Sequence, residues 1–374
     1  MLFNPYDIAS IYHDMELDLA ESMKRNLKHH YHEEIKEGFE WEQWQKGKLR
    51  NIKSFQSRNK KIISQYQKVI DGQTENLLSK SYKGSLNNSD NFFKRVLKNA
   101  KSKVRKLLRP QEDNFFKSSE DKVFNLIHAV KGDLHKANHA ALRKMDDVYR
   151  QTIFKAQMYQ VNGAMTVQQA VDMATKDFLK GGLNCVKYKN GRNVNISSYA
   201  EMSIRTANQR VTLMGEGAKR DEFGIHTVLA PSHGNTCPKC LEWQGRVLID
   251  DVYSSGTSDE GDYPLLSTAM AAGFLHPSCR HHPTTFIPGV NTVPEPLNEE
   301  QRQEALNKYN AEQKQRGIER DIRKWKRIEA GSTDDYNSTI ASANVSKYQN
   351  QMKKHLEIHD YLRQNNWRER LTED

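Results

Sequence analysis

Apolar residues recur at steps of three and four over long stretches of this chain, the periodicity of an amphipathic helix. Asn4-Pro5 offers a capping side chain and a proline suited to a first turn. Ile8, Tyr12, Met15, Leu19, Met23 and Leu27 then share one face, and Trp41, Trp44, Leu49, Ile52 and Phe55 continue the pattern among many charges. The spacing predicts mostly helix over residues 4–81, with Gly38 and Gly47 as places for breaks. The polar cluster 82–90 (YKGSLNNSD) predicts a turn. A basic amphipathic helix is expected over 91–109, its stripe made by Phe93, Val96, Leu97, Ala100, Val104, Leu107 and Leu108, and Pro110 ends it. Further helices are expected over 118–162, from a Thr166/Gln169 capping box to the Gly181-Gly182 stop, from Ser198 to about Met214, over 299–330 and over 338–370.

Between 183 and 290 the character changes. Short elements alternate with Gly- and Pro-containing turns: strands at 224–230 and 246–249, a loop at 258–264, a short helix at 266–272 and a Pro-rich linker at 288–298. Gly215-Glu216-Gly217 reads as a helix end rather than a phosphate loop. The fold class is therefore α+β, predominantly α, with long helical N- and C-terminal arms flanking a small α+β cysteine-containing domain. The expected division is a helical N-terminal region (1–117), a helical segment leading into the core (118–182), the compact α+β domain (183–290), and a Pro-rich linker with charged C-terminal helices (291–374).

Composition agrees with extended helices. Only 36% of the 374 residues are hydrophobic and 28% are charged, too polar for one large core. No run of apolar residues is long enough for a transmembrane helix, and the first residues lack a basic-then-apolar secretion pattern. The net charge of +10 favours solubility or an anionic partner. Lys94, Arg95, Lys98, Lys101, Lys103, Arg105, Lys106 and Arg109, with no acid between them, are the candidate contacts to DNA or another anion. The 299–330 helix carries a narrow apolar line that includes Ile318, Ile322 and Trp325, candidates for packing on a partner or on the chain's own N-terminal helices.

The sharpest chemical pattern is Cys237-Pro-Lys-Cys240 with His276-Pro-Ser-Cys279-Arg280-His281-His282. A C-x2-C pair grips one side of a tetrahedral zinc, and a His-x2-Cys pair closes the other. Cys237, Cys240, His276 and Cys279 are the candidate structural Zn2+ ligands, with His281, His282 or His233 as alternatives to His276. The competing reading is a set of reduced thiols and imidazoles that pack and hydrogen-bond. A zinc deaminase would need a His-x-Glu and then a Pro-Cys-x-x-Cys; upstream of the pair His226-Thr-Val and His233-Gly-Asn lack the Glu, and Thr236 stands where the Pro should precede Cys237. There is no phosphate-binding GxxxxGK loop and no G-x-S-x-G elbow. A filled four-ligand set favours a structural clip, so no catalytic residue is assigned. Arg205-Thr206 suits an anion or, better, the anchoring of a neighbouring loop. Trp243, Gln244 and Gly245 are expected to shape the core and a turn, and Arg280 to hold a loop or a carboxylate.

Several segments together resemble the phage minor capsid protein 2 family, head-morphogenesis proteins of tailed phages of Gram-positive bacteria. They are Trp41-Glu-Gln-Trp44-Gln-Lys-Gly-Lys48-Leu49; Tyr199-Ala-Glu-Met202-Ser-Ile-Arg205-Thr206; Ser232-His233 followed by Trp243-Gln244-Gly245-Arg246-Val247; Cys279-Arg280-His281 followed by Phe286-Ile287-Pro288-Gly289-Val290; and Tyr309 with the run Gln313 to Arg327. The resemblance implies a non-enzymatic minor capsid protein of the virion, made in the host cytoplasm and present in several copies. Its expected partners are the portal protein, the major capsid or scaffold proteins of the same phage, and packaged double-stranded DNA bound without sequence preference. Its expected role is in head assembly and in DNA packaging or delivery near the portal. The rival readings are an effector enzyme of the ADP-ribosyltransferase type and a nucleic-acid-binding zinc protein.

Overall fold

The computed structural model describes residues 7–28, 41–99, 108, 115–161 and 167–364. In chain order the elements are α1 (Asp7–Lys28), α2 (Trp41–Arg50), α3 (Ile52–Asn99), α4 (Phe115–Val161), α5 (Val167–Gly181), β1 (Asn184–Lys187), β2 (Asn193–Asn195), α6 (Ile196–Phe223), β3 (Thr227–Leu229), α7 (Pro238–Leu241), β4 (Val247–Ile249), α8 (Leu266–Ala271), β5 (Thr284–Thr285), α9 (Glu299–Gly331) and α10 (Asp335–Ile358). The fold is predominantly α with a small α+β part, as the periodicity predicts.

The chain divides into two compact units, each assembled from separated segments. One contains Gln73–Lys131 and Met202–Gln313. Its sheet has the order β4-β3-β5, antiparallel throughout, with Val228 opposite Leu248 on one side and Thr285 on the other. Val228, Leu248, Leu213, Leu266, Ala269 and Phe274 form its main core, and Cys240 is buried in the same cluster. A second cluster joins Phe93, Leu108, Phe223, Ile225 and Ile287, with the Phe93 and Phe223 rings stacked at 4.3 Å. Full burial of a side chain of this size contributes about 1.5–3 kcal/mol.

The segment 82–90 corrects the expected turn, since α3 runs through it without a break. Local propensity is overridden by packing. Tyr82 and Ser85 are buried, and α6 approaches so closely that a Cβ on Gly215 would lie 2.0 Å from Ser85 Oγ. Two residues on, a Cβ on Gly217 would lie 1.9 Å from the Tyr253 carbonyl oxygen. The Gly215-Glu216-Gly217 sequence is thus the middle of a helix and not its end: α6 continues to Phe223, and the glycines exist to let backbone approach backbone.

The other unit contains Tyr6–Gly72, Gly132–Glu201 and Lys314–Asp374. Ile8, Tyr12, Met15 and Leu19 on α1 are fully buried, as their spacing predicts. Phe55 and Tyr149 stack at 4.3 Å. Gly182, with φ of +66°, ends α5 as expected and leads into the β1–β2 hairpin, which was not legible in the sequence. Ile318 and Ile322 on α9 pack with Met352 on α10. The last helix is shorter than the 338–370 expected, closing at Ile358. The Thr166 cap and Gly38 lie outside the described residues.

Candidate metal centre

Two short loops bring the sulfur and imidazole groups together. The first is a knuckle: Cys237 caps the four-residue α7, Pro238 occupies its first turn, and the Cys240 N–H donates to the Cys237 carbonyl at 3.1 Å. The second is His276–His281, where Leu275 and Ser278 both adopt positive φ, at 52° and 65°. Residues of α6 hold this strained loop. Thr206 Oγ1 accepts the Ser278 N–H at 3.2 Å, Arg205 reaches the Ser278 carbonyl at 3.4 Å, and Gln209 donates to the His281 carbonyl at 2.5 Å. Arg205 and Thr206 therefore anchor a loop, the structural role expected of them.

Cys237, Cys240 and His276 place their ligand atoms within 4.8 Å of one another, and so do Cys240, Cys279 and His281. Cys240 belongs to both groups. The Cys240 and Cys279 sulfurs are 3.6 Å apart, Cys237 Sγ is 3.2 Å from His276 Nε2, and Cys279 Sγ is 3.5 Å from His281 Nδ1. A tetrahedral zinc with ordinary bond lengths has S···S edges of about 3.8 Å and S···N edges of about 3.5 Å. The donor types suit such an ion, and the observed edges are close to these lengths, although Cys279 does not join Cys237 and His276 in one group. Among the described residues these are the groups that could hold a metal.

The two histidines differ in tautomer. His276 Nδ1 donates to the Pro277 carbonyl at 2.9 Å, which leaves the Nε2 lone pair facing Cys237. A ring nitrogen that donates to a carbonyl while the other faces the site is the usual arrangement of a metal ligand. His281 is buried, and its Nε2 accepts from the Gln244 amide at 3.0 Å. Its Nδ1 must then carry the proton and donate to Cys279. The Cys240 thiol, the His281 ring and the His281 backbone N–H at 3.4 Å converge on Cys279 Sγ and hold its thiol well below the usual range against the effect of burial. Cys240, burdened by the same neighbour, is pushed up.

The remaining candidates separate. His282 turns to Glu216 on α6 at 2.8 Å. His233 stacks edge-on against His281, with ring centroids 4.6 Å apart, and belongs to neither group. Gln244 also donates to Thr236 Oγ1 at 2.5 Å, and Gly245 turns the chain with φ of +74°. Arg280 does hold a carboxylate, that of Glu312. Glu312, Asn235 and Thr236 were not singled out from the sequence. Nothing in their local pattern marks them, since a glutamate on a highly charged helix reads as solvent-facing.

Of the basic candidates, Lys94, Arg95 and Lys98 lie on the exposed side of α3 opposite buried Phe93, as an amphipathic helix requires. Lys94 is paired with Asp90 at 2.6 Å. Lys101, Lys103, Arg105, Lys106 and Arg109 lie outside the described residues. Ile318 and Ile322 are buried within the chain itself, whereas Trp325 is half-buried and lines a cavity of about 320 Å³ with Met173, Leu179, Ile328 and Ile340. No helix among the described residues is long and apolar enough to cross a membrane.

The chain is thus mainly helical, with one cluster of thiols and imidazoles embedded in a small core. The family model for phage minor capsid protein 2 matches residues 3–357, and the chain belongs to that family. It is a structural component of the phage head and resides in the virion. It is also similar to a "Structural protein" of Lactococcus phage LL-H, 25% identical over 228 residues, which is 58% of this chain. The match spans 59% of that relative's length. No solved structure matches.

Proposed function

We propose that this minor head protein acts without catalysis, as a docking piece clipped by one structural zinc ion. Cys237, Cys240, His276 and Cys279 are the ligands, and His281 is a hydrogen-bond donor to the Cys279 thiolate. The observation that carries this reading is the pair of three-residue donor groups that share Cys240. Three sulfurs and one oriented imidazole would fill a tetrahedron once an ion drew Cys279 to the Cys237/Cys240/His276 group, leaving no position for a substrate or an activated water. The metal would supply cross-linking between the knuckle and the His276–His281 loop, in a domain with few strands of its own.

The partners in this reading are the portal protein and the major capsid or scaffold proteins of the same phage. Trp325 and the cavity beside it suit an apolar side chain of such a partner. Lys94, Arg95 and Lys98, continued by the basic run to Arg109, suit packaged double-stranded DNA held through phosphates without base readout. In this reading the protein supports head assembly and DNA packaging or delivery near the portal. Mass spectrometry of purified particles with copy counting, and cross-linking from Trp325-proximal lysines such as Lys176, test it. Cross-links to portal or capsid proteins are expected; particles that lack the chain, or NAD turnover by the purified protein, would refute it.

A further inference from the structure

Glu312 on α9 is only 6% exposed, and both loops of the cysteine–histidine cluster converge on it. Asn235, two residues before Cys237, donates its Nδ2 to Glu312 Oε2 at 2.8 Å. Arg280, set between Cys279 and His281, donates Nη1 to the same oxygen at 2.8 Å and Nη2 to Oε1. A guanidinium fork on a carboxylate fixes distance and angle together, which a lysine would not. A third contact comes from Arg302, which reaches Glu242 just after the knuckle at 2.5 Å. That pair is largely exposed and adds little. The buried carboxylate is what ties the two loops.

We infer that Glu312 is a positioning residue for the metal centre, and that metal binding in turn fastens residues 299–313 to the cysteine loops. This deepens the zinc-clip reading and rests on it. The ligands come in two pairs, thirty-nine residues apart in sequence between Cys237 and His276. An ion can bind all four only when the loops stand at one separation. Glu312 holds the two loops against each other through one residue beside each ligand pair, without touching a ligand. Such outer contacts commonly change metal affinity about 10- to 100-fold. Linkage makes the effect reciprocal: whatever factor Glu312 contributes to metal binding, the metal contributes to docking of this part of α9. A surface ion pair would have no such coupling. Burial of Glu312, and its sharing by two loops, distinguish the present case.

The test uses the full-length protein. Zinc and cobalt affinities are measured by chelator competition for the wild type, for Glu312→Gln and for Glu304→Gln, an exposed acid on the same helix. Hydrogen exchange across 299–313 is followed in the wild type with metal bound and after chelation. The expected results are an affinity about 10-fold lower in Glu312→Gln, no change in Glu304→Gln, and faster exchange over 299–313 once metal is removed. The exchange measurement needs no variant, so it decides the matter even if Glu312→Gln folds poorly. Metal bound normally, with exchange over 299–313 indifferent to it, overturns the coupling while leaving the clip. Failure of the wild type to bind zinc or cobalt at all overturns the clip itself.

Discussion

Arg220 donates Nη2 to Asp250 Oδ2 at 2.5 Å, and both side chains are essentially inaccessible to water. The pair joins α6 to the end of β4. Asp250 Oδ1 also accepts the Val252 and Tyr253 N–H groups at 3.2 and 2.9 Å, so one carboxylate sets the turn after the strand. Removing one partner strands a buried charge. Arg220→Met is expected to lower stability by about 3–5 kcal/mol, and adding Asp250→Asn to recover part of it. Urea unfolding of the three proteins checks this; equal stability of Arg220→Met and wild type would refute the assignment.

The helix glycines separate into two kinds. Gly217→Ala forces a Cβ to within 1.9 Å of a backbone oxygen, and the expected loss is about 1–3 kcal/mol or more. Gly72→Ala on α3 meets nothing within 4 Å and should raise stability by about 0.5–1 kcal/mol, because alanine is the better helix former. Melting temperatures that moved in the same direction would contradict the packing described.

His13 is buried beside Glu16, and burial lowers its pKa from 6.5 to about 4, outweighing the carboxylate. The unfolded chain therefore takes up a proton between pH 6.5 and 4 that the folded chain refuses. Stability falls as pH drops through that window. The loss from pH 7 to pH 5 is on the order of 2 kcal/mol. Burial works against the Glu16 carboxylate, but His13, Arg327 and the Leu183 N–H hold its pKa low, so its contribution is lost at still lower pH. His226 has the opposite sign: Asp221 and Glu260 raise its pKa, and its contribution is lost as pH rises. The measurement is accordingly the difference between wild type and His13→Asn in urea midpoints at pH 7 and 5. Parallel curves would refute the buried neutral imidazole.

Metal analysis of the purified protein is expected to give about one zinc per chain, reduced in Cys279→Ser. The two histidines should behave differently with cobalt. His276→Ala removes a nitrogen ligand and alters the d–d spectrum. His281→Asn keeps the spectrum and weakens binding about 10- to 100-fold, since it removes only a donor to Cys279. The reverse pattern would exchange their roles.

Most of the helices could be read from their stripes, because a residue such as Met15 or Leu19 is buried by its own helical phase alone. The cysteine–histidine cluster could be read from its two short spacings. The choice between His276 and His281 could not, since it depends on the Pro277 carbonyl and the Gln244 amide, neither of which has a spacing rule. Glu312 escaped for a similar reason: its partners stand 77 and 32 residues away. The continuous helix through 82–90 was hidden because its cause lies in the glycines of another element.

A helix maintained by its neighbour, against the preference of its own residues, has its weakest point where that disagreement is greatest. In α3 this point is the stretch of serine, asparagine and glycine that rests on Gly215. Any force that peels α6 away removes the support and lets the chain hinge there, in a place that looks, on the folded molecule, like uninterrupted rod.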